Sequence, residues 1–216
     1  MLRQRASETE KLRRLPDATL ADLHETELFR LFQPTRYGGI EAPIRAFVDI
    51  GATLGRGCGS TSWVFNNLIV HNWMLGYWPR QAQDEVWQAN PRALIGSSFV
   101  FPAGKAEKTP GGYRLSGKWP FASGIDASDW MMLAAPATRS DGAASEPRFF
   151  LVPKSEYSSI DNWHVMGLAG TGSKDIVVDN IFVAEHRTLA AADGKGAPHP
   201  GSAVNPGALY RLAWYA

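Results

Sequence analysis

Between residues 17 and 32 the apolar positions Leu20, Leu23, Leu28, Leu31 and Phe32 return close to the helical period, which predicts one helix with Asp17 placed to cap it. Pro34 and the pair Gly38-Gly39 stop that helix. A second helix is expected over 43–54, burying Ile44, Phe47, Val48 and Leu54 before the glycine-broken stretch Gly55-Arg56-Gly57-Cys58-Gly59. Ser60 or Thr61 then serves as N-cap of a third helix that continues to about Tyr77, and Pro79 suits the first turn of a short fourth helix ending near Trp87. From Arg92 the pattern changes to short β-forming runs separated by turn residues, expected at 93–101, 104–109, 112–118, 129–137, 148–153 and 174–184. Thr109-Pro110-Gly111-Gly112 reads as a hairpin turn, with Tyr113 and Leu115 alternating against Arg114 and Ser116 after it. Beyond Arg187 the chain is rich in Ala, Gly and Pro up to Gly207, the composition of a surface connection, and 209–215 looks like an element just starting.

These patterns give an α+β chain: an N-terminal helical domain over 1–91, an antiparallel β-barrel domain over 92–187, and a linker from 188, with no parallel βαβ unit and no internal repeat. At 216 residues, 44% hydrophobic and 20% charged, the chain can bury a core, which excludes wholesale disorder, collagen and a coiled coil. A formal charge of +1 creates no general field for nucleic acid or an anionic membrane, so neither is an expected partner. The apolar stretch 63–78 is broken by Asn66, Asn67, His71 and Asn72 and falls short of the roughly 20 residues that span a bilayer. Residues 1–15 mix charges and lack the apolar region of a secretory signal. The single cysteine, Cys58, can build neither a disulfide framework nor a zinc site alone, and points to a reducing, cytoplasmic setting. Eight tryptophans exceed what packing requires and favour a site for a flat ligand.

Most familiar motifs fail on context. Gly112-Tyr113-Arg114-Leu115-Ser116-Gly117-Lys118 has phosphate-loop spacing, but Trp119 follows the lysine inside an expected hairpin. The glycines at 55, 57 and 59 separate two helices, with Ser60 where a dinucleotide fingerprint needs its third glycine. The five histidines, at 24, 71, 164, 186 and 199, show no metal-ligand spacing, and no metal site is expected. Three constellations remain. Trp63, Asn67 and His71 fall at i, i+4 and i+8 of the third helix, either as a buried histidine bonded to Asn67 or as a general base beside an indole. Gly117 to Gly124, with Pro120 inside a strand and Ala122-Ser123-Gly124 at its end, is either an edge strand and turn or a surface that approaches something flat. Ser97-Ser98-Phe99 ends a β run with two hydroxyls. Gly170-Thr171-Gly172-Ser173 reads as a turn before the strand at Ile176, with anion binding by its backbone as the alternative.

Taken with Pro34-Thr35-Arg36-Tyr37-Gly38-Gly39, Gly59-Ser60-Thr61-Ser62-Trp63 and Met166-Gly167-Leu168-Ala169-Gly170-Thr171-Gly172-Ser173, these segments resemble the acyl-CoA dehydrogenase fold. Within it, Trp119-Pro120-Phe121-Ala122-Ser123-Gly124 is similar to the flavin-dependent two-component monooxygenases that hydroxylate phenols, of the p-hydroxyphenylacetate and 3-hydroxy-secosteroid hydroxylase type. Ala127 stands after Asp126, where oxygenases of this kind often carry histidine. The resemblance implies an oxygenase component that uses reduced FMN, or alternatively FADH2, and oxygen, through a C4a-hydroperoxyflavin, to hydroxylate an aromatic substrate. It implies a separate flavin reductase, a homotetramer, and a C-terminal four-helix bundle that would begin near Ala216 and is absent from this chain. Catalytic roles fall to His71, which would hold the substrate hydroxyl, and Ser123, at flavin N5. Cofactor contacts are expected from Trp63, Ser97, Ser98, Phe99, Phe121, Ala122 and Ser123, and substrate contacts from Trp63, His71 and Ser98. An acyl-CoA dehydrogenase or flavin oxidase on the same fold, and a truncated non-catalytic chain, are the competing readings.

Overall fold

The computed structural model describes residues 1–138 and 145–215. Five helices come first: α1 (Leu2–Leu12), α2 (Asp17–Glu25), α3 (Arg45–Gly55), α4 (Gly59–Leu75) and α5 (Arg80–Trp87). Eight strands follow: β1 (Ile95–Ser98), β2 (Gly104–Thr109), β3 (Gly112–Ala122), β4 (Trp130–Thr138), β5 (Glu146–Pro153), β6 (Ser158–Ile160), β7 (Lys174–Ala184) and β8 (Thr188–Ala190). Helices segregated from a largely antiparallel sheet make the chain α+β.

The apolar period is interrupted where the backbone reverses. The helix expected over 17–32 ends at Glu25, because Glu27 takes a left-handed φ of 59° and starts a separate 3-10 turn, Leu28–Arg30. Leu28, Leu31 and Phe32 continue the spacing without continuing the helix, and Phe29, Leu31 and Phe32 are buried in the core. In α4 the apolar residues surround the axis, so the helix lies buried at the centre of the helical half. Its N-cap is Cys58, and no side-chain hydrogen bond caps it.

The sheet runs β6-β7-β3-β2-β4-β5-β8, with β1 also paired to β4. Among the described residues every ladder is antiparallel except β1 with β4 and β2 with β4, which are parallel. The expected antiparallel barrel therefore contains two parallel neighbours, one at each end of β4. The sheet curls on itself, since β5 touches β7 although three strands lie between them. Inside the curl pack Leu115, Trp119, Leu133, Phe150, Val152 and Ile176. The other faces of β4 and β5 send Met132, Ala134, Phe149 and Leu151 into the helical core with Phe65, Leu68 and Trp78. Both faces of these central strands are thus buried, which explains their nearly unbroken apolar runs.

Residues after Arg187 are not a loose surface connection. Tyr77 stacks on His199 with ring centroids 3.8 Å apart. Trp73 Nε1 donates to Leu209 O at 2.9 Å, Asn205 Nδ2 to Gly76 O at 2.8 Å, and Tyr210 Oη to Phe32 O at 2.9 Å. Tyr210 is fully buried, so this segment straps the outer side of α4.

Candidate functional site

Between Trp119 and Ala122, β3 advances three residues while β7 moves from Ile176 to Lys174, two residues, so β3 carries one extra residue there. Pro120 has no N–H to give the ladder, and Phe121 adopts φ 64°, the geometry of a bulge. The bulge turns the Phe121 ring outward, where it is 62% exposed and meets Trp163 edge-on at 6.1 Å. It also delivers Ser123 to the N-terminal end of α4. Trp63, at that end and 51% exposed, donates Nε1–H to Ser123 Oγ at 3.0 Å. Two exposed rings thus flank a fixed, buried hydroxyl on an open face. Ala122 is fully buried beneath it.

Ser123 does not stand alone. Its Oγ lies 2.7 Å from Ser173 Oγ, which lies 2.7 Å from Thr171 Oγ1, which donates to Leu168 O at 2.9 Å. Ser173 and Thr171 sit where Leu168 and Gly172 both have positive φ, on either side of the 3-10 turn Ala169–Thr171. The segment forms the turn expected of it, and its backbone donors also hold a carboxylate of the same chain: Glu10 of α1 accepts from Ala169 N at 2.8 Å and Gly170 N at 3.4 Å, and also from the Ser60 hydroxyl. Gly170 is required here, because an added Cβ would lie 2.4 Å from Thr9 Cγ2 and 2.9 Å from Thr9 O.

His71 lies two turns farther along α4, about 12 Å along the axis from Trp63. Its partner is Ile95 O of β1, 2.8 Å from Nδ1, and not Asn67, whose Nδ2 donates to Trp63 O at 2.8 Å. A carbonyl only accepts, so Nδ1 carries the proton. Burial pushes the imidazole down to about 4, which the Ile95 bond only partly opposes, and the ring is neutral at physiological pH. Nε2 then presents a lone pair. The ring is 2% exposed and meets Phe99 edge-on at 5.9 Å. Ser98 donates Oγ–H to Pro120 O at 2.6 Å, tying β1 to the bulge, and Ser97 is half-buried in the same strand.

The structure therefore brings Trp63, Phe121, Ala122 and Ser123 together, and sets His71 of α4 beside β1, which carries Ser97 and Ser98, and Phe99 just after it. Reasoning from sequence paired neither Thr171 and Ser173 with Ser123 nor Glu10 with the backbone of Ala169 and Gly170. The alternation of hydroxyls at 171 and 173 was the only local signal. Among the described residues no group of three or more His, Cys, Asp or Glu is placed to hold a metal ion. No helix among them is long and apolar enough to cross a membrane.

No protein-family profile matches the chain. It is 39% identical over 213 residues to the flavin-dependent monooxygenase oxygenase subunit HsaA of Rhodococcus jostii, a match that covers 99% of this chain and 55% of that protein. The crystal structure of 3-HSA hydroxylase from Rhodococcus sp. RHA1 superposes with a TM-score of 0.95 at 38% identity, over 99% of this chain and 55% of that one. The chain is homologous to the oxygenase subunits of flavin-dependent monooxygenases. A further homologue is the oxygenase component of the FADH(2)-dependent resorcinol hydroxylase of Rhizobium sp., 40% identical over 201 residues, covering 93% of this chain and 49% of that protein. The chain spans about half the length of the curated relatives it matches.

Proposed function

We propose that this chain carries the flavin-facing and substrate-facing surface of the oxygenase component of a two-component flavin-dependent monooxygenase acting on an aromatic substrate. The observation that carries the reading is the Ser123 hydroxyl, fixed between the exposed rings of Trp63 and Phe121, with a neutral histidine two turns away on the same helix. A flat heteroaromatic group with a polar rim needs apolar faces beside a few fixed polar atoms, and these residues fit it.

Reduced flavin, FMN or FADH2, when bound, supplies the activation of oxygen. The chain's residues do the rest. Ser123, held by Trp63 and Ser173, would offer a fixed oxygen to the polar edge of the flavin. The bulge at Phe121 and Ala122, with Ser97 and Ser98 of β1 and Phe99 after it, would frame the ring system. His71 uses its free Nε2 to accept the proton of a phenolic hydroxyl, which makes the ring carbons of the substrate more nucleophilic. Ser98 has committed its proton to Pro120 O and acts toward substrate as an acceptor. Trp63 stacks on the substrate ring.

The proposal extends to a separate flavin reductase, a homotetramer and a cytoplasmic location; the buried free thiol of Cys58 suits a reducing compartment. It also includes boundaries near 91 and 187 between helical, barrel and connecting units. The test is to supply the full-length protein with enzymatically reduced FMN or FAD, oxygen and a panel of phenols, and to follow hydroxylated product and hydrogen peroxide. Product formation supports the reading. Reduction of bound flavin by an acyl-CoA, with no phenol hydroxylated, overturns it.

A further inference from the structure

Three contacts link Ser123, Ser173, Thr171 and the carbonyl of Leu168, and three hydroxyl protons are available to make them. Only one assignment serves all three. Leu168 O can only accept, so the Thr171 proton goes to it. The 2.7 Å contact between Thr171 and Ser173 then needs the Ser173 proton, and the 2.7 Å contact between Ser173 and Ser123 needs the Ser123 proton. At the far end, Trp63 Nε1 is a donor with no alternative role, and it occupies one lone pair of Ser123 Oγ. Every hydroxyl proton in the row is committed within it. What remains at Ser123 is a single lone pair.

We propose that Ser173 and Thr171 are positioning residues that lock Ser123 as a hydrogen-bond acceptor, and that this lock makes the site select reduced over oxidised flavin. The inference rests on the flavin reading above. Reduced isoalloxazine carries N–H at N5 and can donate to that lone pair; oxidised isoalloxazine has a bare nitrogen there, which would face the serine oxygen lone pair to lone pair. Discrimination by an unmatched polar pair in a desolvated contact is steep, because the group left without a partner keeps its full desolvation cost. The row is also cooperative, each bond polarising the next, so cutting it at Ser173 is felt at Trp63. Glu10 steadies the far end by holding Ala169 and Gly170 in place through their backbone N–H groups.

The test uses the full-length protein under anaerobic conditions, titrated separately with reduced and oxidised FMN and FAD, together with the 1H–15N resonance of the Trp63 indole in flavin-free protein. Wild type is expected to bind the reduced form more tightly. Ser173→Ala frees the Ser123 proton to turn outward and donate, so the reduced-to-oxidised affinity ratio should fall about tenfold, which is about 1.4 kcal/mol. The indole N–H resonance should move upfield. Thr171→Val should act in the same direction, and Thr171→Ser should restore the wild-type ratio, which a merely structural role for the side chain would not produce. An unchanged ratio in both Ser173→Ala and Thr171→Val, in protein of wild-type stability, overturns the inference. Wild-type protein that binds neither form would overturn the flavin reading and the selectivity with it, while the indole resonance would still report whether the row of hydroxyls exists.

Discussion

Replacing His71 by glutamine isolates the acid sensitivity of one buried imidazole. Glutamine retains an N–H for Ile95 O but has no proton to gain. In the unfolded chain a histidine titrates near 6.5, whereas in the fold burial holds His71 at about 4. Between those values the unfolded state binds a proton that the folded state refuses, so stability rises with pH there. The contribution is complete above pH 6.5 and is lost as pH falls toward 4. A separation of about 2.5 units at about 1.4 kcal/mol each gives a full loss of about 3 kcal/mol, of which about 2 kcal/mol has gone by pH 5. Urea unfolding of wild type and His71→Gln at pH 7.5 and pH 5 measures it. Wild type should lose about 2 kcal/mol more than the variant. His24, also lowered by burial, and Glu85, lowered chiefly by its bond to Arg187, act equally in both proteins and cancel. If the two proteins weaken in parallel, His71 takes up its proton in place, and the neutral ring assigned to substrate binding is wrong.

Ser123→Ala in the full-length enzyme should leave flavin affinity within a few-fold, yet raise hydrogen peroxide released per hydroxylated product; an unchanged coupling ratio counts against the role of Ser123. Glu10→Ala removes the acceptor of Ala169 and Gly170, and hydrogen exchange at these two amides should accelerate while exchange in β4 and β5 stays unchanged. Gly76→Ala places a methyl 2.4 Å from the buried Tyr210 ring, and should cost about 1–3 kcal/mol in denaturant unfolding by forcing the strap over α4 to shift. A neutral outcome would mean that Tyr210 moves without loss.

Strands β2 and β7 fall at their expected bounds, 104–109 and 174–184, with turn residues directly after β2 at Pro110-Gly111 and directly before β7 at Gly172-Ser173. Where the backbone departs from regularity without a change in apolar spacing, reading failed. Leu28 and Leu31 keep the helical period across the reversal at Glu27, and β3 continues through its bulge to Ala122, four residues beyond its expected end. The strands Ser158–Ile160 and Thr188–Ala190 are too short to show a period. The parallel seating of β1 on β4 depends on topology, which runs of β-formers do not encode. At the site, Trp63, His71 and Ser123 stand out in the sequence because indole, imidazole and hydroxyl lie among apolar and small neighbours. Their partners were not: Ser173 lies 50 positions from Ser123, and the Ile95 carbonyl that fixes the His71 proton belongs to backbone, which carries no residue signature.

The bond from Ala169 to Glu10 joins positions 159 residues apart. A connection spanning most of the chain is among the most costly in entropy to close and among the last to form in folding. Helices and sheet can each be in place, with tryptophans buried and circular dichroism native, before the segment carrying Thr171 and Ser173 is anchored. Ligand binding should therefore recover more slowly than intrinsic fluorescence on dilution from urea. In a chain emerging from the ribosome, Ser123 acquires the neighbours that orient it only once synthesis has passed residue 173.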